Sequence, residues 1–234
     1  RIAREIIGAS RPLFPRILGA DGRVCSALLV SAPGCGKTTI LRDAARALSS
    51  GDYGAQACSV GIVDARYELG GGADGTVRFD LGLRTDVLFG TTRAEGMRMM
   101  VRNLSPDVIV TDEIGTRADA DAVYEAINSG AAVLASAHAS GRETLERRKV
   151  LRDLIAEGAF ERIVLLGRSA GTGTVERIWC PSGALEAGGE ADAAVSGRGF
   201  GAADVFGGGA LERTPAGAAQ GRARAAVPRH AGAV

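Results

Sequence analysis

An apolar run, Val24–Val30, breaks into Ser31-Ala32-Pro33-Gly34-Cys35-Gly36-Lys37-Thr38 and then into an amphipathic stretch, Thr38–Leu48. That order of strand, glycine-rich loop and helix is what a phosphate-binding loop requires. Its backbone amides and the positive end of the helix converge on negative charge, the lysine reaches the outer phosphates, and the hydroxyl after it ligates magnesium. The use of lysine is itself informative. Of 28 basic residues only Lys37 and Lys149 are lysine, so the chain departs from arginine where a compact ammonium on a thin stem fits inside a tightly wrapped loop. The strict pattern begins with glycine, and here that position is Ser31, which is compatible if its backbone stays extended. The loop implies binding of a nucleoside triphosphate, with Pro33, Gly34, Cys35, Gly36, Lys37, Thr38 and Thr39 lining the phosphates. Cys35 reads as a small residue filling a tight turn.

The rest of the chain divides by composition. Residues 1–22 carry Ile2, Ile6 and Ile7 at helical spacing before Pro12 and Pro15, and read as the end of an upstream element or a linker. Residues 23–180 alternate short apolar runs with amphipathic stretches, the pattern of a mostly parallel sheet with helices on both faces. Strands are expected at Val60–Val63, Val108–Val110, Ala132–Ala135, Arg162–Leu166 and Val175–Trp179. Helices are expected at Ala118–Asn128 and Glu143–Glu157, with a further helical stripe at Met97, Met100, Val101 and Leu104. Residues 181–234 are rich in Gly, Ala and Arg and are expected to be disordered, because scattered apolar residues cannot offset the entropy of ordering. The fold class is therefore α/β, of the P-loop NTPase kind.

Several classes are disfavoured. A net charge of +1 and 4% aromatics argue against nucleic acid as a partner. No apolar run approaches the ~20 residues that cross a bilayer. The cysteines Cys25, Cys35, Cys58 and Cys180 have no metal-ligand spacing and read as reduced thiols. Beginning at Arg1 without a methionine, the chain reads as a fragment of something longer.

A second chemical element lies at Asp107-Val108-Ile109-Val110-Thr111-Asp112-Glu113. A buried strand ending in two carboxylates supplies a magnesium ligand, Asp112, and a general base for the attacking water, Glu113. His138, after the strand at 132–135, is placed either to sense the terminal phosphate or as a structural side chain. Asp64 and Glu68 follow the second strand and read either as nucleotide contacts or as loop charges. Arg78, Arg84 and Arg93 are each candidates to reach a neighbouring subunit's phosphate, or surface charges.

Taken together, PGCGKTTILRD, VGIVDARYELGG, LGLRTDVL, the AEGM segment, SPDVIVTDEIG and ASAHA resemble the stage III sporulation protein AA family, ATPases of endospore-forming bacteria. The resemblance covers about residues 1–180. It implies a RecA-like core related to type II and type IV secretion ATPases, using ATP and Mg2+ and working as a homo-oligomer, expected to be a hexamer. It further implies a cytoplasmic protein, peripheral to membrane-embedded channel subunits and on the mother-cell side. Carried over by position, Lys37 and Thr38 take the phosphate-loop roles, Asp112 and Glu113 the magnesium and base roles, and Glu68, with Asp64 just before it, the acidic segment. His138 takes the histidine segment, and Arg84 is the best trans-acting finger. Ala65 and Tyr67 depart from the polar residues expected in the acidic segment. Two alternatives remain beside the motor or gating ATPase. One is a nucleic-acid-associated RecA-like ATPase, and the other a non-hydrolysing nucleotide-dependent scaffold.

Overall fold

The computed structural model describes residues 5–72 and 76–181, and a two-residue strand at 193–194. The elements run α1 (Phe14–Ile17), β1 (Ala27–Ser31), α2 (Lys37–Ser50), β2 (Val60–Asp64), β3 (Thr85–Phe89), α3 (Arg93–Asn103), β4 (Val108–Thr111), α4 (Arg117–Asn128), β5 (Ala132–His138), α5 (Arg142–Glu146), α6 (Lys149–Ala156), β6 (Arg162–Gly167), β7 (Thr174–Trp179) and β8 (Ala193–Ala194). They form one sheet in the order β3-β2-β4-β5-β1-β6-β7-β8. The strands from β3 to β6 are mutually parallel, and β7 and β8 extend that edge antiparallel. The tail expected to be disordered lies outside the described residues, apart from Pro181 and β8.

Alternation along the strands builds two apolar layers, one on each face. Leu29, Ile62, Val108, Val110 and Leu134 point to one side, where α2 contributes Ile40, Leu41, Ala44 and Leu48. Leu28, Val30, Val63, Ile109 and Val133 point to the other, against Met97 and Met100 of α3, Val123 of α4, and Leu151 and Leu154 of α6. Because helices cover both faces, β1, β2 and β4 are buried along their whole length, and they read in sequence as near-continuous apolar runs.

The segment before β1 packs into the first of these layers. Leu13, Phe14 and Ile17 are fully buried beside α2. The buried Asp43 of α2 accepts hydrogen bonds from the amides of Gly8 (3.1 Å) and Ser10 (2.8 Å) and from the Ser10 hydroxyl. Residues 5–22 thus share the core of the domain that follows.

Two elements differ from the sequence expectations. The strand β3 is not among the strands expected from the sequence; as the edge of the sheet it is only partly buried, so its apolar signal is confined to Val87-Leu88-Phe89. The helix expected over Glu143–Glu157 is two helices, α5 and α6, because Arg148 takes an extended backbone (φ −88°, ψ 97°). Its guanidinium turns inward and donates to the His138 carbonyl at 2.9 Å. That long-range bond has no sign in a run of good helix formers.

Close packing of α3 on β2 depends on Gly96. A Cβ there would lie 2.4 Å from Val63 Cγ1, and valine's stiff side chain cannot turn away cheaply. Gly96→Ala is expected to lower the stability by on the order of 1–3 kcal/mol, read as a lower midpoint in urea unfolding. An unchanged midpoint would show that this layer is loosely packed.

Candidate nucleotide site

The parallel strands deliver their last residues to one edge: Ser31 from β1, Asp64 from β2, Thr111 and then Asp112 and Glu113 from β4, and His138 from β5. In the β1–β5 register Ser31 sits opposite His138. This carboxyl edge is where open α/β sheets bind ligands.

Ser31 ends β1 in extended geometry, as its place in the loop pattern demands. Gly34 (φ +76°) and Gly36 (φ +90°) take the left-handed conformations that turn the chain into α2, positions that a residue with a Cβ occupies only under strain. Lys37 is buried and lies along the loop. Its Nζ donates to Ser31 Oγ (2.9 Å), Ser31 O (3.2 Å) and Ala32 O (3.3 Å), and lies 3.1 Å from His138 Nδ1. An ammonium has only donors, so Nδ1 is the acceptor and the ring proton sits on Nε2. Nε2 lies 3.3 Å from Glu113 Oε1. Lysine, histidine and glutamate therefore form one continuous line across the sheet edge.

Glu113 is held in a left-handed conformation (φ +48°), uncommon for a residue with a long side chain. The surrounding backbone over-determines it. The Glu113 amide donates to Ser136 Oγ (3.0 Å) and the Ile114 amide to Ser136 O (2.9 Å). The amides of Gly115 and Thr116 donate to Asp119 Oδ2 at 3.1 and 2.9 Å. Thr116 and Asp119 are also the capping box of α4, so the helix and the turn before it share one anchor.

Asp112, beside it, is 4% exposed, and its Oδ1 has no hydrogen-bond partner. The nearest cation is Arg93, whose Nη2 lies 3.8 Å from Oδ1 while its Nε donates to the Asp112 carbonyl at 2.6 Å. Burial, with help from the charges of Glu68 and Asp64 and against the pull of Arg93, raises the Asp112 carboxyl to about 6. A buried, unpaired carboxylate oxygen at the end of the central strand suits Mg2+, which takes one or two protein ligands and fills its remaining positions with phosphate and water. Thr38 stands in the first turn of α2. Among the described residues no cluster of three or more acidic, His or Cys ligands forms a self-sufficient metal cage.

The acidic segment is arranged differently from its two carboxylates acting alike. Asp64 is fully buried, and its oxygens accept from the amides of Glu68 and Gly70, both at 2.8 Å. It shapes the loop. Glu68 is partly exposed on that loop, and Arg42 of α2 donates to the carbonyls of Glu68 (2.6 Å) and Leu69 (2.8 Å). Tyr67, where a polar residue was expected, stacks on Phe89 of β3 with ring centroids 5.3 Å apart.

Arg84 does not join these groups. Its amide and Nη1 bind Ser49 Oγ and O, at 2.7 and 3.1 Å, at the last turn of α2. A helix of 14 residues puts that turn about 20 Å from its start. The arginines at the site are Arg93 and Arg66, the latter paired with Glu113 Oε2. Arg168, from the β6–β7 turn, donates to Gly34 O of the loop at 2.9 Å. Arg66, Arg148, Arg168 and Ser136 had no local signal in an arginine-rich chain; only the juxtaposition of distant strand ends identifies them.

This sheet, with a phosphate loop after β1 and carboxylates after β4, is a P-loop NTPase fold of the RecA-like kind. The chain belongs to the family described as sporulation stage III, protein AA, which matches residues 1–185. It is 40% identical over 183 residues to stage III sporulation protein AA of Bacillus subtilis, covering 78% of this chain and 59% of that protein. It is 30% identical over 166 residues to the uncharacterised protein ycf45 of Cyanidium caldarium, covering 70% and 47%. The chain thus spans roughly half to three fifths of the length of these relatives. Among solved structures, the VirB11 ATPase of the Brucella suis type IV secretion system, in complex with sulphate, superposes with a TM-score of 0.50 at 19% identity, covering 68% of this chain and 48% of that one. At that identity the likeness is one of fold.

The raised Asp112 carboxyl makes its ionised form costly in the folded chain. The cost is absent below the unfolded value of 3.8, grows as pH rises, and is complete above about 6. Without magnesium, Asp112→Asn is therefore expected to stabilise the chain at pH 7.5 by on the order of 2 kcal/mol, with the gain shrinking towards pH 5. Denaturant unfolding at several pH values reads this, and a variant less stable than wild type at pH 7.5 would refute it.

Proposed function

We propose that this chain binds ATP with Mg2+ and hydrolyses it. The observation that carries the reading is the unbroken contact from Lys37 through His138 to Glu113, with the unpaired Asp112 oxygen beside it. The loop amides and Lys37 hold the phosphates, and Lys37 exchanges its bonds to Ser31 and Ala32 for phosphate oxygens. Asp112 and Thr38 would hold Mg2+, which when bound neutralises charge on the phosphates. Glu113 takes a proton from water as the water oxygen bonds to the terminal phosphorus and the bridging oxygen departs with the diphosphate. His138, accepting from Lys37 at Nδ1, sets Nε2 beside Glu113 and orients the glutamate. Ser136 fixes the turn that presents it.

At the level of the assembly, we propose a homo-oligomeric motor or gating subunit of a secretion-like, sporulation-associated complex. It would act from the cytoplasmic, mother-cell side on membrane-embedded channel subunits. The family and the secretion-ATPase fold support this reading. No helix among the described residues is long and apolar enough to cross a membrane, and the proposed contact with the bilayer runs through those partner subunits.

The test is Mg2+-dependent phosphate release over a range of protein concentrations. Lys37→Ala is expected to abolish ATP binding. Glu113→Gln is expected to bind ATP but turn over at least a hundredfold more slowly, and wild-type turnover in that variant would remove Glu113 from the mechanism. Ser136→Ala is expected to cut kcat about tenfold with KM little changed, and Ser136→Thr to restore part of the loss.

A further inference from the structure

In the arrangement seen, both oxygens of Glu113 have a close polar neighbour. Its Oε1 faces His138 Nε2 at 3.3 Å and its Oε2 is paired with Arg66. With one cation or ring nitrogen beside each oxygen, the carboxylate has charged or polar neighbours on both of its edges. His138 is fixed at the end of β5, and its other nitrogen is tied to Lys37. Arg93 is also fixed: it is 16% exposed and its Nε is bound to the Asp112 carbonyl. Arg66 is different. Its side chain is 51% exposed, and among the described residues Glu113 is its one hydrogen-bond or ion-pair partner. It projects from a turn whose other end is stapled by Asp64, through the amides of Glu68 and Gly70. The turn is anchored while the arginine at its tip is held by a single anion.

We propose that Arg66 is a catalytic residue that exchanges partners: it latches Glu113 when no triphosphate is bound, and passes to the terminal phosphate when one enters. The proposal rests on the nucleotide reading above and deepens it. The exchange follows from charge. Arg66 ends a short line of contacts that begins at Lys37 (Lys37, His138, Glu113, Arg66), and a γ-phosphate held by Lys37 would offer it a multiply charged, bidentate partner that a guanidinium prefers to one carboxylate. Leaving Glu113 removes the closer of the two arginines at its Oε2, with Arg93 Nη2 remaining 4.0 Å away, and arriving at the phosphate places a cation where negative charge spreads in the transition state. Substrate binding and activation of the base become one event, so water is not activated over an empty site. A diphosphate carries no γ-phosphate and leaves the latch closed.

Equilibrium binding of fluorescent ATP and ADP analogues to the full chain tests this without turnover, in wild type, Arg66→Ala, Glu113→Gln and the double variant. Arg66→Ala is expected to leave ADP affinity unchanged and to weaken ATP affinity about tenfold, with kcat down by ten- to a hundredfold. Glu113→Gln frees Arg66 and is expected to tighten ATP binding about three- to tenfold; that gain should shrink when Arg66 is also removed, since the cycle isolates their coupling. Equal ATP and ADP effects in Arg66→Ala, an unchanged ATP preference, or a rise in kcat would overturn the exchange. Arg66 is exposed, so the variant is expected to fold, and a thermal melt checks it. If wild type binds neither analogue, the nucleotide reading falls and this proposal with it. If wild type binds ATP and only the Arg66 results fail, the nucleotide reading stands.

Discussion

Lys37 carries a full positive charge into a position with 8% of its surface exposed, and burying an ammonium is tolerable only if its donors find acceptors. The acceptors are the end of β1 and the end of β5. Two oxygens of Ser31 and one of Ala32 in its own loop share the three donors of the ammonium with His138 Nδ1, from a strand 101 residues away. That last contact makes Nδ1 the acceptor, and the other ring nitrogen, Nε2, stands 3.3 Å from Glu113 Oε1. The Glu113 carboxylate is thus linked to the phosphate loop through one imidazole. The serine that replaces the expected glycine at position 31 contributes through its hydroxyl, the shortest of the lysine's contacts.

The turn after β4 shows how strain is held where chemistry needs it. A left-handed glutamate costs on the order of 1 kcal/mol or more, and the four successive amides from Glu113 to Thr116 each have an acceptor supplied by Ser136 or Asp119. Two structural residues, one at the neighbouring strand and one at the helix cap, keep the carboxylate aimed at the site. Asp112, one residue earlier, is kept buried with an unsatisfied oxygen. The fold bears both costs through packing on the two faces of the sheet.

Helix α2 links the site to the rest of the chain. Its first turn carries Lys37 and Thr38. Its second carries Arg42, bonded to the acidic loop and stacked over Phe79 at 4.0 Å, and Asp43, bonded to the N-terminal segment. Adjacent buried charges of opposite sign on one helix hold loops on either side of it. Displacement of α2 would be felt at Glu68 and at residues 8–10 together.

The amino-acid order alone was enough to place the phosphate loop, the helix after it, the apolar strands β1, β2, β4 and β5, and Asp112 and Glu113, because each is a local pattern: an apolar run, glycines at set spacing, carboxylates at a strand end. It left His138 and Asp64 open between two roles, and it favoured Arg84 over the arginines that stand at the site. Nor did it show the half-buried edge strand β3 or the break at Arg148. Local patterning determined what kind of fold this chain adopts and where its phosphate loop lies. Only the tertiary structure decided which arginine meets Glu113, which nitrogen of His138 carries the proton, and that Asp64 braces a loop, because those choices depend on strand ends far apart in sequence being brought to one edge of the sheet.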